Sequence, residues 1–152
     1  MAAHRFRLAR ALEWYREQSR LEASRLFACD DAATKARAEI DRHREGCRTL
    51  EMDVIRSRAI EARELSALES WRHSAKAVTT SLDGDFRRKQ GELERQRAVT
   101  LEAQRRLRLT EKLRDRRLAE HTYQADRELE ELASDSYLAA FARDLHSPTR
   151  KS

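Results

Sequence analysis

A chain of 152 residues has the length of one domain, but 39% hydrophobic and 39% charged residues do not supply the apolar content of a compact globule. Its 32 basic residues nearly balance 27 acidic ones, which excludes the strong net charge of a disordered chain. With three Gly and one Pro, Pro148, nothing before residue 148 must break a helix. The fold class this implies is all-α, a long antiparallel two-helix coiled-coil hairpin over residues 1–145.

The first predicted helix runs from about residue 4 to 56. Leu12, Ser19, Leu26, Ala33, Ile40, Cys47 and Val54 recur at seven-residue steps, and Leu8, Tyr15, Glu22, Cys29, Ala36, His43 and Leu50 interleave with them. The combined series alternates three and four, the a/d spacing of a left-handed coiled coil, over about seven heptads. Ser19, Glu22 and His43 make the seam imperfect. On one helix, Cys29 and Cys47 lie roughly 27 Å apart, too far to bridge, and are expected to be reduced seam residues; an intermolecular disulfide is the alternative. Residues 1–10 are charged and lack an apolar core, and no apolar run of membrane-spanning length occurs, so a cytosolic, uncleaved chain without membrane insertion is expected.

The phase is lost after Val54, and a turn is placed at about 57–65 because Ser66 and Glu69 have the spacing of a capping box. Residues 79–85, Thr-Thr-Ser-Leu-Asp-Gly-Asp, compete as the turn but interrupt the run Leu65, Leu68, Ala75, Leu82, Phe86, Leu93. The second helix is then expected over about 66–144, with its pattern shifting phase after Leu113 and resuming at Leu118, Ala125, Leu129, Leu132 and Ala139. Residues 146–152 read as a disordered polar tail. Charge is uneven along this helix: residues 87–117 hold twelve Lys or Arg against five Asp or Glu, whereas 126–135 are acidic. A solvated face accounts for this, and a positive stripe that meets an acidic partner is the alternative.

Chemistry is hard to find. Gly46, Gly84 and Gly91 are too scattered for a phosphate loop, and the five histidines, His4, His43, His73, His121 and His146, are dispersed along the chain. No catalytic residue, metal or cofactor is called for. The chain contains no Asn and only Phe86 among aromatics between Trp71 and Tyr123, so neither a base-reading zipper nor a stacking platform is expected, and no specific nucleic acid is named as a partner. Trp14, Tyr15 and Phe27 near one end and Tyr123, Tyr137 and Phe141 near the other are expected to pack together. Trp71 caps the core or anchors a partner at the opposite tip.

Phe6-Arg7-Leu8 with Leu12, Arg16, Glu17, Glu22, Ala23 and Leu26 resembles the start of the flagellar export protein FliJ family. Glu111-Lys112-Leu113, Tyr123, the stretch Glu128-Leu129-Glu130-Glu131-Leu132-Ala133, Phe141 and Arg143 resemble its end. The resemblance implies a cytosolic stalk of the type III export apparatus, similar to the central stalk of rotary ATPases and peripheral at the inner face of the membrane. Its implied partners are the flagellar export ATPase hexamer, the cytoplasmic domain of the export gate, and export chaperones. Phe6, Leu8, Leu12, Leu129, Leu132 and Phe141 would lie at the ring end, with Arg105, Arg106, Arg108, Arg116 and Arg117 meeting acidic groups there. The gate contact carries over to Ala36, Ile40, His43 and Cys47 on the first helix and Trp71, Ala75, Val78 and Leu82 on the second. The stalk of a virulence-type secretion system, or a generic coiled-coil scaffold or nucleic-acid-coating protein, are the rival expectations.

Overall fold

The computed structural model describes residues 8–57 and 61–146, with side chains up to residue 143. Two helices make up the fold, α1 (Ala9–Arg56, 48 residues) and α2 (Ala62–His146, 85 residues), and no strand occurs among the described residues. The start of the predicted first helix, residues 4–7, and the tail from 147 lie outside the described residues. The two helices pack against each other as an all-α hairpin.

Local chemistry explains why the helices run so long. Exposed pairs such as Glu17 with Arg20 (3.0 Å), Asp31 with Lys35 (2.7 Å), Glu94 with Arg97 (2.6 Å) and Arg127 with Glu131 (3.0 Å) join successive turns. Each adds little at the solvated surface, but they recur along both helices. Asp31 accepts a hydrogen bond from Lys35 and thereby raises the pKa of that ammonium. Threonines, poor helix formers, are accommodated by turning their hydroxyls onto the carbonyl four residues back: Thr79 onto Ala75 (2.9 Å), Thr80 onto Lys76 (3.0 Å) and Thr110 onto Arg106 (2.9 Å). With these hydroxyls satisfied and no glycine among the described residues at positive φ, residues 79–85 continue as helix and do not turn.

α1 stops at Arg56 and α2 begins at Ala62, and residues 58–60 between them lie outside the described residues. Ser57 ends α1 by donating its hydroxyl to the Val54 carbonyl at 2.6 Å, while Arg56 places a positive charge in the last turn. α2 starts at Ala62, four residues before the predicted Ser66 start. The cap is supplied by Glu64, whose Oε2 accepts from the Glu61 backbone N–H at 3.1 Å. This is the carboxylate half of a capping box, formed one turn earlier than the Ser66 and Glu69 spacing suggested.

Residues Tyr15–Arg105 form one compact unit. Its cross-helix contacts fix an antiparallel register: Glu22 meets Gln96, Arg37 lies over the Phe86 ring at 5.8 Å, His43 meets Ala75, and Glu51 pairs with Arg72 at 3.0 Å. The a/d series of α1 is the inward face. Glu22, Ala33 and Ile40 are buried, and Tyr15, Ser19, Leu26, Cys29, Ala36, His43, Cys47 and Val54 are half-buried. Both cysteines are free thiols. On α2 the inward positions Leu68, Ala75, Leu82, Gln96 and Ala103 share one seven-residue phase, broken by the exposed Lys89 between Leu82 and Gln96, and interleave with Thr79, Phe86, Leu93 and Thr100.

Residues Met1–Trp14 and Arg106–Ser152 form the second unit. Here Leu12 is buried, and Leu107, Thr110, Glu111 and Arg114 are the half-buried positions of α2 nearest in phase to the inward face. From residue 115 to 143 every described side chain except that of Ala125 is exposed. Of the terminal aromatics expected to pack together, Trp14, Phe27, Tyr123, Tyr137 and Phe141 are exposed and Tyr15 is half-buried. No described helix is long and apolar enough to cross a membrane.

Candidate interaction surfaces

The seam holds two polar layers. Glu22, buried on α1, receives the Gln96 amide on its Oε2 at 2.5 Å and the Arg25 guanidinium on its Oε1 at 2.7 Å. Thr100 completes the layer, its hydroxyl 3.1 Å from the Glu22 carbonyl and 2.8 Å from the Gln96 carbonyl. Burying a carboxylate is costly unless its oxygens are paired, and here both are. The second layer lies nearer the connection. His43, as the Nε2–H tautomer, donates to the Ala75 carbonyl at 3.2 Å, and the Cys47 sulfur stands 3.6 Å from the same nitrogen. Among the described residues, no group of three or more His, Cys, Asp or Glu could hold a metal ion.

The residues carried over for a gate contact divide sharply by burial. Ile40 is 1% exposed and belongs wholly to the core. Ala36, His43, Cys47, Ala75 and Leu82 are half-buried seam positions, and the structure brings His43, Cys47 and Ala75 together. Val78, 45% exposed, points away from the seam. Trp71 is half-buried and, with Leu50, Val54, Ser57, Glu64, Ala67 and Leu68, lines an open groove of about 370 Å³ beside the connection. That groove was not anticipated from the sequence, although Leu50 and Val54 end one heptad series and Leu68 begins the other.

Of the described residues carried over for a ring contact, all but one are exposed. Leu12 is buried. Leu8 is at the edge of exposure, Phe6 lies outside the described residues, and Arg105, Arg106, Arg108, Arg116 and Arg117 are all exposed. Arg108, Lys112 and Arg116 stand four residues apart on one row of α2, with Arg116 also reaching Glu120 at 3.2 Å.

Leu118, Leu129 and Leu132 are 50%, 55% and 63% exposed. Together with Thr122, Ala125, Ser136 and Ala139 they make a second a/d series. It is displaced by one residue from the inward positions Leu107, Thr110 and Arg114, which turns it roughly 100° around the helix. Tyr123, Tyr137 and Phe141 form a separate exposed row.

Comparison with protein-family models, with curated proteins and with solved structures finds no match to this chain.

Proposed function

We propose that this chain is a non-catalytic stalk of the bacterial flagellar type III export apparatus, cytosolic and working at the inner face of the membrane. It would bind the export ATPase ring and the export gate, couple ATP hydrolysis to secretion, and escort export chaperones. The reading rests on the resemblance of both chain ends to the FliJ family. The observation that best supports it is the hairpin whose second helix leaves an apolar series and a basic row exposed where the resemblance asks for a ring contact. Arg105, Arg106, Arg108, Arg116 and Arg117 would meet acidic groups of the ring, and Leu129, Leu132 and Phe141 its apolar wall. Mixing the folded chain with the flagellar export ATPase should raise both ring formation and hydrolysis, and no change in either removes the proposal.

At the other end, the gate contact would use Trp71 and Val78, since most of the remaining carried-over residues face the seam. Replacing Trp71 and Val78 by Ala should weaken affinity for the gate's cytoplasmic domain with helical content retained. The exposed arginines also support a rival reading as a nucleic-acid-coating protein. Retention on duplex DNA at low salt that fades as salt rises would favour that reading.

A further inference from the structure

The exposed a/d series of residues 118–139 has a charge pattern that identifies its occupant. The positions flanking it are Ala119, Asp126, Ala133 and Ala140 on one side and His121, Glu128, Asp135 and Ala142 on the other. Neither flank contains a Lys or Arg. In a coiled coil these flanking positions face the partner's flanks and select it by charge. A second copy of this chain, in either orientation, would set Asp126, Glu128 and Asp135 against carboxylates or neutral groups, with no cation to answer them.

We propose that this face docks an amphipathic helix of a different protein, with apolar residues at a/d spacing for about three heptads and Lys or Arg on both flanks. Leu118, Leu129 and Leu132 are the anchors. Ala125 and Ala139 each leave room for a bulky side chain from the partner. Because both flanks carry the same sign, charge does not select the partner's direction, which is left to shape. The inference stands on the series and its flanks and needs neither the ring nor the gate.

The test titrates the full chain with three labelled four-heptad peptides: Leu at a/d with Lys on the flanks, Leu at a/d with Glu on the flanks, and Gln at a/d with Lys on the flanks. The first should bind at least about tenfold more tightly than either control, as expected if three carboxylates each contribute a modest ion pair. Leu129→Gln with Leu132→Gln should abolish this binding while leaving helicity and Tm unchanged, since both side chains are exposed in the hairpin. Asp126→Lys, Glu128→Lys and Asp135→Lys together should transfer the preference to the Glu-flanked peptide. Equal binding of all three peptides, or binding that survives Gln at a/d, overturns the proposal. So does a dimer in light scattering that the double Gln variant dissolves, because the occupant is then a second copy. A chain that binds the Lys-flanked peptide but ignores the export ATPase keeps this inference and loses the stalk reading.

Discussion

Glu22 occupies a position where a leucine would bury more apolar surface, and its two oxygens are committed to different helices. Oε2 holds Gln96 of α2 and Oε1 holds Arg25 of α1. Removing the carboxylate alone leaves the Gln96 amide without its strongest partner in a part-buried seam. Glu22→Ala should cost about 1–3 kcal/mol, measured by urea unfolding. Replacing both partners is a different matter. Glu22→Leu with Gln96→Leu should raise the unfolding midpoint, since an apolar pair needs no desolvated charge, but at the expense of the contact that distinguishes one register from its neighbours. Light scattering should then detect oligomers in the double variant that are not present in the parent. By contrast Ile40, sealed within the seam, tests packing alone, and Ile40→Ala should lose about 2–5 kcal/mol.

At the scale of the elements, Gly84 sits inside α2 with ordinary helical φ and open space where a Cβ would stand. It serves no turn, so Gly84→Ala should stabilise the chain by about 0.4–1 kcal/mol, visible as a rise in Tm. The two parts of α2 should also differ in dynamics. Amides near Leu93 and Thr100 are held by a packed seam, whereas residues 115–143 have no inward-facing row and depend on helix propensity and exposed ion pairs. Hydrogen exchange should therefore show strong protection at 93–100 and weak protection at 115–143. Uniform protection along α2 would contradict this.

For the molecule as a whole, the helical class and the inward face of α1 were legible in the sequence, because a seven-residue recurrence of Leu, Ala, Ile and Cys identifies a seam without knowledge of its partner. The α2 seam was legible only in part. Thr79, Gln96 and Thr100 read as polar surface until Glu22, more than seventy residues earlier, is placed opposite two of them. The Ser66 and Glu69 capping box was a chemically sound local signal, overtaken by a neighbouring Glu61 and Glu64 pair of equal spacing. The exposed basic row and the acidic flanks were both visible as charge runs, but which side chains were free to meet a partner required the fold.

The exposed face of residues 118–139 has one further consequence. A substitution at Ile40 or Leu93 must satisfy the hairpin before anything else, whereas one at Leu118, Leu129 or Leu132 displaces no neighbour within the chain. That stretch can change its sequence in step with an external surface, under no obligation to the rest of the fold. Among related chains it should be the most variable part of α2 in sequence while keeping its three-and-four spacing, the signature of a surface that co-evolves with another molecule.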